Sequence, residues 1–169
     1  RTFQIVHPFP NLTVLDNVTM GALFGSEKAQ KEVRLAHAVA EEKLEMVGLI
    51  DKADSLASQL TLAERKRLEF AKSLATDPEI LLLDEVNAGL NQTEIQSAIS
   101  LIQKVRDQGV TVLIIEHLMK VIMDLSDRVI VLHHGEKIAE GAPREVTGDE
   151  QVIKAYLGEK YVAMMEKLN

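Results

Sequence analysis

Four consecutive aliphatic residues, Ile80-Leu81-Leu82-Leu83, run directly into two carboxylates, Asp84-Glu85, with Pro78 shortly before and Gly89 shortly after. A short apolar run bounded by turn residues reads as a strand buried on both faces, the pattern of a central strand in a parallel sheet. Carboxylates at the end of such a strand lose hydration, which costs free energy unless a cation or a reaction uses them. In open parallel sheets ligands sit just beyond the carboxyl ends of the strands. Asp84 is thereby a candidate Mg2+ ligand, and Glu85 a candidate for orienting or deprotonating an attacking water. The same residues also fit a strand that runs into an acidic surface turn.

Downstream, residues 92–108 have helical spacing, with Ile95, Ala98, Ile99, Ile102 and Val105 on one face and Gly109 at the end. Val110 to Ile115 is a second aliphatic strand, expected to be buried, and it stops at Glu116-His117. Strand, helix, strand is a crossover unit with parallel strands. Both strands then deliver polar residues to one edge: Asp84 and Glu85 from the first, His117 from the second. A lone histidine after a strand also fits a structural hydrogen-bonding role.

Upstream, His7-Pro8-Phe9-Pro10-Asn11 cannot be helical and predicts a stiff exposed loop. Thr13 is placed to cap the helix that follows, which Gly21 and Gly25 are expected to loosen. A second helix is expected from about Glu27 to Val47, with Val33, Ala36, Val39, Ala40, Leu44 and Val47 inside and Gly48 as its stop. Thr61 and Glu64 have capping-box spacing at the start of a helix running to about Thr76, with Leu62, Leu68, Ala71, Leu74 and Ala75 as its buried stripe. Arg65, Lys66 and Arg67 crowd its first turn, where the macrodipole disfavours cations. They point to a nearby anion, or to pairing with local carboxylates.

After the second strand the pattern gives a short helix over 118–126 and a hairpin, Arg128–His133 and Lys137–Glu140, turning at Gly135. His133 and His134 read as hairpin residues, not metal ligands. Two short helices follow over 144–169, broken at Gly148 and Gly158; the last carries an apolar stripe from Tyr161 to Leu168, expected to pack on the core.

The 169 residues suffice for one domain with a subdomain. A net charge of −7 argues against nucleic acid as the main partner. The absence of cysteine excludes disulfides, thiolate metal sites and thiol nucleophiles. No apolar run approaches the ~20 residues of a membrane span, so any membrane role comes through a partner.

In this order the motifs resemble the ATP-binding subunit of ABC transporters, specifically the branched-chain amino acid importer group. Thr2-Phe3-Gln4 matches the glutamine loop, the helix around Lys31 to Met46 the helical subdomain, and Leu60-Thr61-Leu62-Ala63-Glu64 with its three bases the signature motif. Ile80 to Glu85 matches Walker B, Ala88-Gly89-Leu90-Asn91 the D-loop, and Glu116-His117 the switch histidine. Pro8 to Val14 and Ile153 to Gly158 look like the importer group's versions.

The resemblance implies an α/β fold with a P-loop NTPase-like parallel sheet and an inserted helical subdomain. It divides the chain into a helical subdomain at 13–76, core strands and hairpin at 77–143, and C-terminal helices at 144–169. It implies ATP and Mg2+ as cofactors, with Gln4 and Asp84 at the metal, Glu85 on the attacking water and His117 on the γ-phosphate. Thr61, Leu62, Ala63, Glu64 and Asn91 would contact nucleotide at an interface with a second ATPase subunit, identical or not. It further implies transmembrane permease partners, no nucleic acid, and a peripheral place on the cytoplasmic face of the membrane.

Two departures stand out. No Gly-x-x-x-x-Gly-Lys-Ser/Thr phosphate loop occurs in these residues, and the family's lies before the glutamine loop. The chain, which starts at Arg1, is therefore expected to be a fragment that by itself holds ATP poorly. The signature has Ala63 where the family places glycine, and the extra methyl group stands where backbone approaches phosphate. Competing expectations are a non-transport ABC ATPase of nucleic-acid repair or translation, and a non-catalytic interaction module.

Overall fold

The structure, a computed structural model, describes residues 8–25 and 29–157. Gln4 and its loop, the stretch around Glu27, and the stripe from Tyr161 to Leu168 lie outside the described residues. The chain divides into two compact units, residues 1–116 and 117–169.

The first unit opens on the proline segment, non-helical as expected and tied down from two sides. Ala57 and Ser58 N–H donate to the carbonyls of Leu12 and Pro10 (3.0 and 3.1 Å). From inside, Asn17, fully buried in the first helix, accepts from Phe9 N–H (2.8 Å) and donates to the carbonyls of Phe9 and Thr13 (3.0 and 2.8 Å). Helix α1, Val14–Phe24, starts where Thr13 caps it by accepting from Asp16 N–H. It runs through Gly21 without a break, so that glycine does not loosen it. A Cβ there would stand 2.6 Å from the Lys72 carbonyl oxygen, so glycine lets α1 lie close against helix α3, Leu62–Leu74.

Helix α2, Val33–Val47, begins later than the periodicity predicted and leaves Val33 exposed. It buries Ala36, Ala40, Leu44 and Val47 and ends at Gly48, whose φ of 69° is the left-handed cap geometry that glycine adopts freely. Two short 3-10 turns, Ile50–Lys52 and Ala57–Gln59, lead to α3. The three helices pack on one another. In α3 the inner stripe is Leu68, Phe70, Ala71, Leu74 and Ala75. Leu62 is instead 51% exposed.

Strand β1, Ile80–Asp84, helix α4, Gln92–Asp107, and strand β2, Thr111–Ile115, form the crossover unit. The strands pair in parallel, Ile80 opposite Thr111 through Asp84 opposite Ile115. Helix α4 buries Ile99, Ile102 and Val105, three of the five predicted positions. The strands are not buried on both faces as expected. Leu81 and Leu83 are 1% exposed, but Ile80, Leu82, Leu113 and Ile115 are 39–61% exposed. Both faces have the composition of a central parallel strand; among the described residues only one is covered.

In the second unit a short helix α5, Met119–Leu125, precedes strands β3, Val129–His133, and β4, Glu136–Gly141, paired antiparallel. The turn uses His134 and Gly135 at φ 48° and 84°, the left-handed pair of a two-residue hairpin. Helices α6, Pro143–Thr147, and α7, Glu150–Leu157, follow, separated at Gly148 as predicted.

Candidate functional site

Asp84 closes β1 opposite Ile115, and pairing continues one residue further, Glu85 N–H donating to the Ile115 carbonyl (2.9 Å). Asp84 and Glu85 are half-buried, at the carboxyl ends of two parallel strands. Glu85 has φ 45°, a left-handed conformation that costs a non-glycine residue about 1–3 kcal/mol and persists only where its surroundings over-determine it.

The loop beyond is tightly wound. Ala88 N–H donates to the Glu85 carbonyl (3.1 Å) and Leu90 N–H to that of Asn87 (3.2 Å). Gly89 has φ 77°, and a Cβ there would lie 3.3 Å from a Leu62 methyl. The loop thus passes beside the start of α3. Asn91 then caps α4, its Oδ1 accepting from Glu94 N–H (3.0 Å) while Glu94 accepts from Asn91 N–H (2.8 Å).

Two side chains absent from the sequence-based set hold this loop. Asn87 is 1% exposed, and its Nδ2 and backbone N–H both donate to Glu116 Oε1 (2.7 and 3.3 Å). Lys66 Nζ, from the second turn of α3, donates to the Val86 carbonyl (2.9 Å) and to that of Ala88. Burial pulls the Lys66 ammonium below the usual lysine range, and the Glu116 carboxylate acts the other way. Against the Glu85 conformation and the buried Asn87 Oδ1, which has no partner among the described residues and costs about 1–3 kcal/mol, stand two hydrogen bonds from a charged donor at about 1.5–3 kcal/mol each. The terms are of one size, so the clamp is strong enough to hold the loop.

At the head of α3 the capping box forms as predicted: Glu64 N–H donates to Thr61 Oγ1 (3.3 Å) and Thr61 N–H to Glu64 Oε2 (2.9 Å). The Lys52 ammonium bonded to Glu64, and then the Thr61 N–H, hold that carboxyl below its ordinary value. Two of the three bases in the crowd have backbone partners. Arg65 donates to the carbonyls of Leu60 and Ser58 (both 2.9 Å), and Lys66 to those of Val86 and Ala88. Backbone oxygens receive Arg65 and Lys66, with the Glu116 carboxylate also acting on Lys66.

A cleft of about 430 Å3 lies between the end of α2, the first turns of α3, the loop after β1 and α4; Ala63, Lys66 and Arg67 line it, but Asp84 and Glu85 do not. The described residues hold no cluster of three or more His, Asp or Glu suited to a metal. Asp84, a half-buried carboxylate at the end of β1, is a donor of the chemical type that Mg2+ takes. The structure therefore brings together Asp84, Glu85 and Glu116 at one sheet edge, with Thr61 to Glu64 on the neighbouring helix start and Asn91 at the head of α4. His117, exposed, directly follows Glu116 and begins the second unit.

A family profile described as "ABC transporter" matches residues 1–88, and one described as "Branched-chain amino acid ATP-binding cassette transporter" matches residues 136–162. The high-affinity branched-chain amino acid transport ATP-binding protein LivG of Salmonella typhimurium is 39% identical over 94% of this chain and 67% of its own length. BraF of Pseudomonas aeruginosa, of the same description, is 38% identical over the same shares. Among solved structures, the ADP conformation of MJ1267, an ATP-binding cassette of an ABC transporter, superposes at TM-score 0.79 and 29% identity over 94% of this chain and 68% of that one. The dimeric ABC transporter cassette MJ0796 gives 0.74 and 28% over 85% and 62%. None of the described helices is long and apolar enough to cross a membrane. By sequence, by motif order and by fold, this chain belongs to the ATP-binding, ATP-hydrolysing subunits of the ABC transporter family.

Proposed function

We propose that the chain is part of the motor of an importer for branched-chain amino acids, working as a dimer with a second ATPase subunit against transmembrane permease subunits at the cytoplasmic face of the membrane. The observation that carries this reading is the pair Asp84-Glu85 at the carboxyl edge of a parallel strand pair, beside a capped helix start. The substrate class rests on the transport named for the LivG and BraF relatives. Residues 13–76 would form the coupling subdomain, 77–143 the catalytic strands and hairpin, and 144–169 the C-terminal helices.

Asp84 would hold Mg2+, with Gln4 as a second ligand. Bound there, the ion would supply neutralisation of phosphate charge. Glu85, half-buried at the strand end, orients the attacking water and takes its proton. The His117 imidazole donates to the γ-phosphate. The start of α3, Thr61 to Glu64, presents backbone N–H groups and the positive end of its dipole to a phosphate carried by the second subunit, with Asn91 at the same interface. Catalysis of this kind is positioning and charge stabilisation with no covalent intermediate.

The test is Glu85→Gln in the intact protein, which keeps the side chain's size and removes its basicity. ATP hydrolysis is expected to fall at least a hundredfold while bound ATP is retained and the dimer persists on gel filtration. Turnover within twofold of the unsubstituted protein ends the motor reading.

A further inference from the structure

The first turns of α3 and the strand-end loop are joined by one side chain whose chemistry is otherwise wasted. Lys66 is a long cation near the start of α3, partly removed from water, with both hydrogen bonds going to carbonyls that flank Asn87. On the other side of the same residue, Asn87 is fixed to Glu116 at the end of β2 through its amide and its backbone N–H. The segment from Val86 to Ala88 is therefore held from both sides. It begins one residue after Glu85, whose left-handed φ of 45° is a conformation that relaxes unless the following peptides are held. It also contains a buried acceptor, Asn87 Oδ1, that finds no partner among the described residues. A loop carrying two such costs keeps its shape only because something fixes it.

We propose that Lys66 is a positioning residue for ATP hydrolysis: its ammonium, opposed by the Asn87–Glu116 pair, clamps the Val86 and Ala88 carbonyls and so fixes where the Glu85 carboxylate stands relative to the start of α3. This rests on the reading of Glu85 as the group that acts on water. Its consequence is mechanical. Any displacement of α3, whose first turn carries Thr61 to Glu64, pulls through Lys66 on the peptide next to Glu85. Placement of the signature helix and readiness of the general base become one coordinate, without Lys66 touching nucleotide. The two carbonyls accept along directions set by the loop's own winding, so a neutral side chain of equal length restores the packing but not the clamp.

The experiment compares Lys66→Met and Lys66→Arg in the intact protein, with Glu85→Gln in parallel. Lys66→Met is expected to lower kcat for ATP hydrolysis about tenfold while KM for ATP stays within twofold, and Lys66→Arg, which keeps donors and charge, to recover to within threefold. Independently of nucleotide, amide hydrogen exchange of Asn87, Ala88 and Gly89 is expected to speed up at least tenfold in Lys66→Met, with α3 beyond Leu68 unchanged. Unchanged exchange in that loop, or a kcat within twofold, overturns the proposal. So does a loss that Lys66→Arg shares in full and that falls equally on kcat and KM, since that is the signature of general damage to the fold. If Lys66→Met does not fold, Asn87→Ala releases the same segment from its opposite anchor; the same kcat loss supports the proposal and an unchanged kcat overturns it. Glu85→Gln separates the two claims: if it hydrolyses ATP normally the motor reading fails, whereas a dead Glu85→Gln beside a normal Lys66→Met fails the clamp alone.

Discussion

Replacing Asn17 with alanine tests how the proline segment is held, and its magnitude follows from the bonds. Asn17 is fully buried, and three of its bonds are short: 2.8 Å from Phe9 N–H, 3.0 Å to the Phe9 carbonyl and 2.8 Å to the Thr13 carbonyl. Alanine deletes all three and leaves a small void. Where water can reach the released groups, each bond is worth about 0.5–1.5 kcal/mol; where it cannot, an unsatisfied buried group costs about 1–3 kcal/mol. The Phe9 side chain is half-exposed, so water reaches part of the site, and the Thr13 carbonyl still accepts from Asn17 N–H along the helix. The sum is a loss of about 2–4 kcal/mol. For a chain of this size each kcal/mol moves the melting temperature by about 2–4 °C, giving a fall of about 5–15 °C by circular dichroism. Asn17→Asp is the sharper control: it keeps the acceptor for Phe9 N–H but removes both donors and adds charge at a buried side-chain position, so it must be at least as damaging above pH 6. A melting temperature within 2 °C of the unsubstituted chain for either variant refutes this account of the loop.

Glu64 gives a pH test. Its folded carboxyl sits below the ordinary 4.5, chiefly through Lys52, so its contribution is present above the unfolded value and is lost as pH falls through the folded one. The stability gap between the unsubstituted chain and Glu64→Gln, followed by urea unfolding, is expected to be constant from pH 6 to 8 and to close below about pH 4; a gap unchanged down to pH 3 contradicts the assignment. Ala63→Gly removes the methyl group from the helix start proposed to approach phosphate. ATPase activity of the intact protein should rise while stability drops by up to about 1 kcal/mol, and unchanged or lower activity shows that the methyl is no obstacle.

What the sequence revealed was what chemistry writes locally. The capping box of Thr61 and Glu64, the Thr13 cap, the Gly48 stop, the hairpin at Gly135 and the parallel pair flanking α4 each follow from residues a few positions apart, and each is found. The errors share another origin. Gly21 was expected to loosen α1 because its effect was judged from the helix alone, whereas its function is set by the Lys72 carbonyl fifty-one positions away in the chain. Leu62 fitted the helical stripe by spacing but lies outside it, because the stripe's first turn projects beyond the packed part of α3. Nothing local pairs Asn87 with Glu116; only the register of β1 against β2 brings them together.

The bases of α3 show how an electrostatic argument from sequence leaves more than one partner open. The dipole reasoning requires negative potential near Arg65 and Lys66, and an anion is one source of it. A peptide carbonyl is another, weaker in charge but fixed in place and present in every loop. Two carbonyls at the Lys66 ammonium and two at the Arg65 guanidinium contribute that potential. Sequence shows carboxylates by name and carbonyls not at all, so a basic cluster at a helix start overstates the case for an anion by as much as the surrounding backbone can supply. For Arg65 the carbonyls are seven or fewer positions away, and the cap alone accounts for them. For Lys66 they are twenty and twenty-two positions away, across the acidic strand. That separation is what turns an ordinary charge-satisfying contact into a link between the signature helix and the residue next to Glu85.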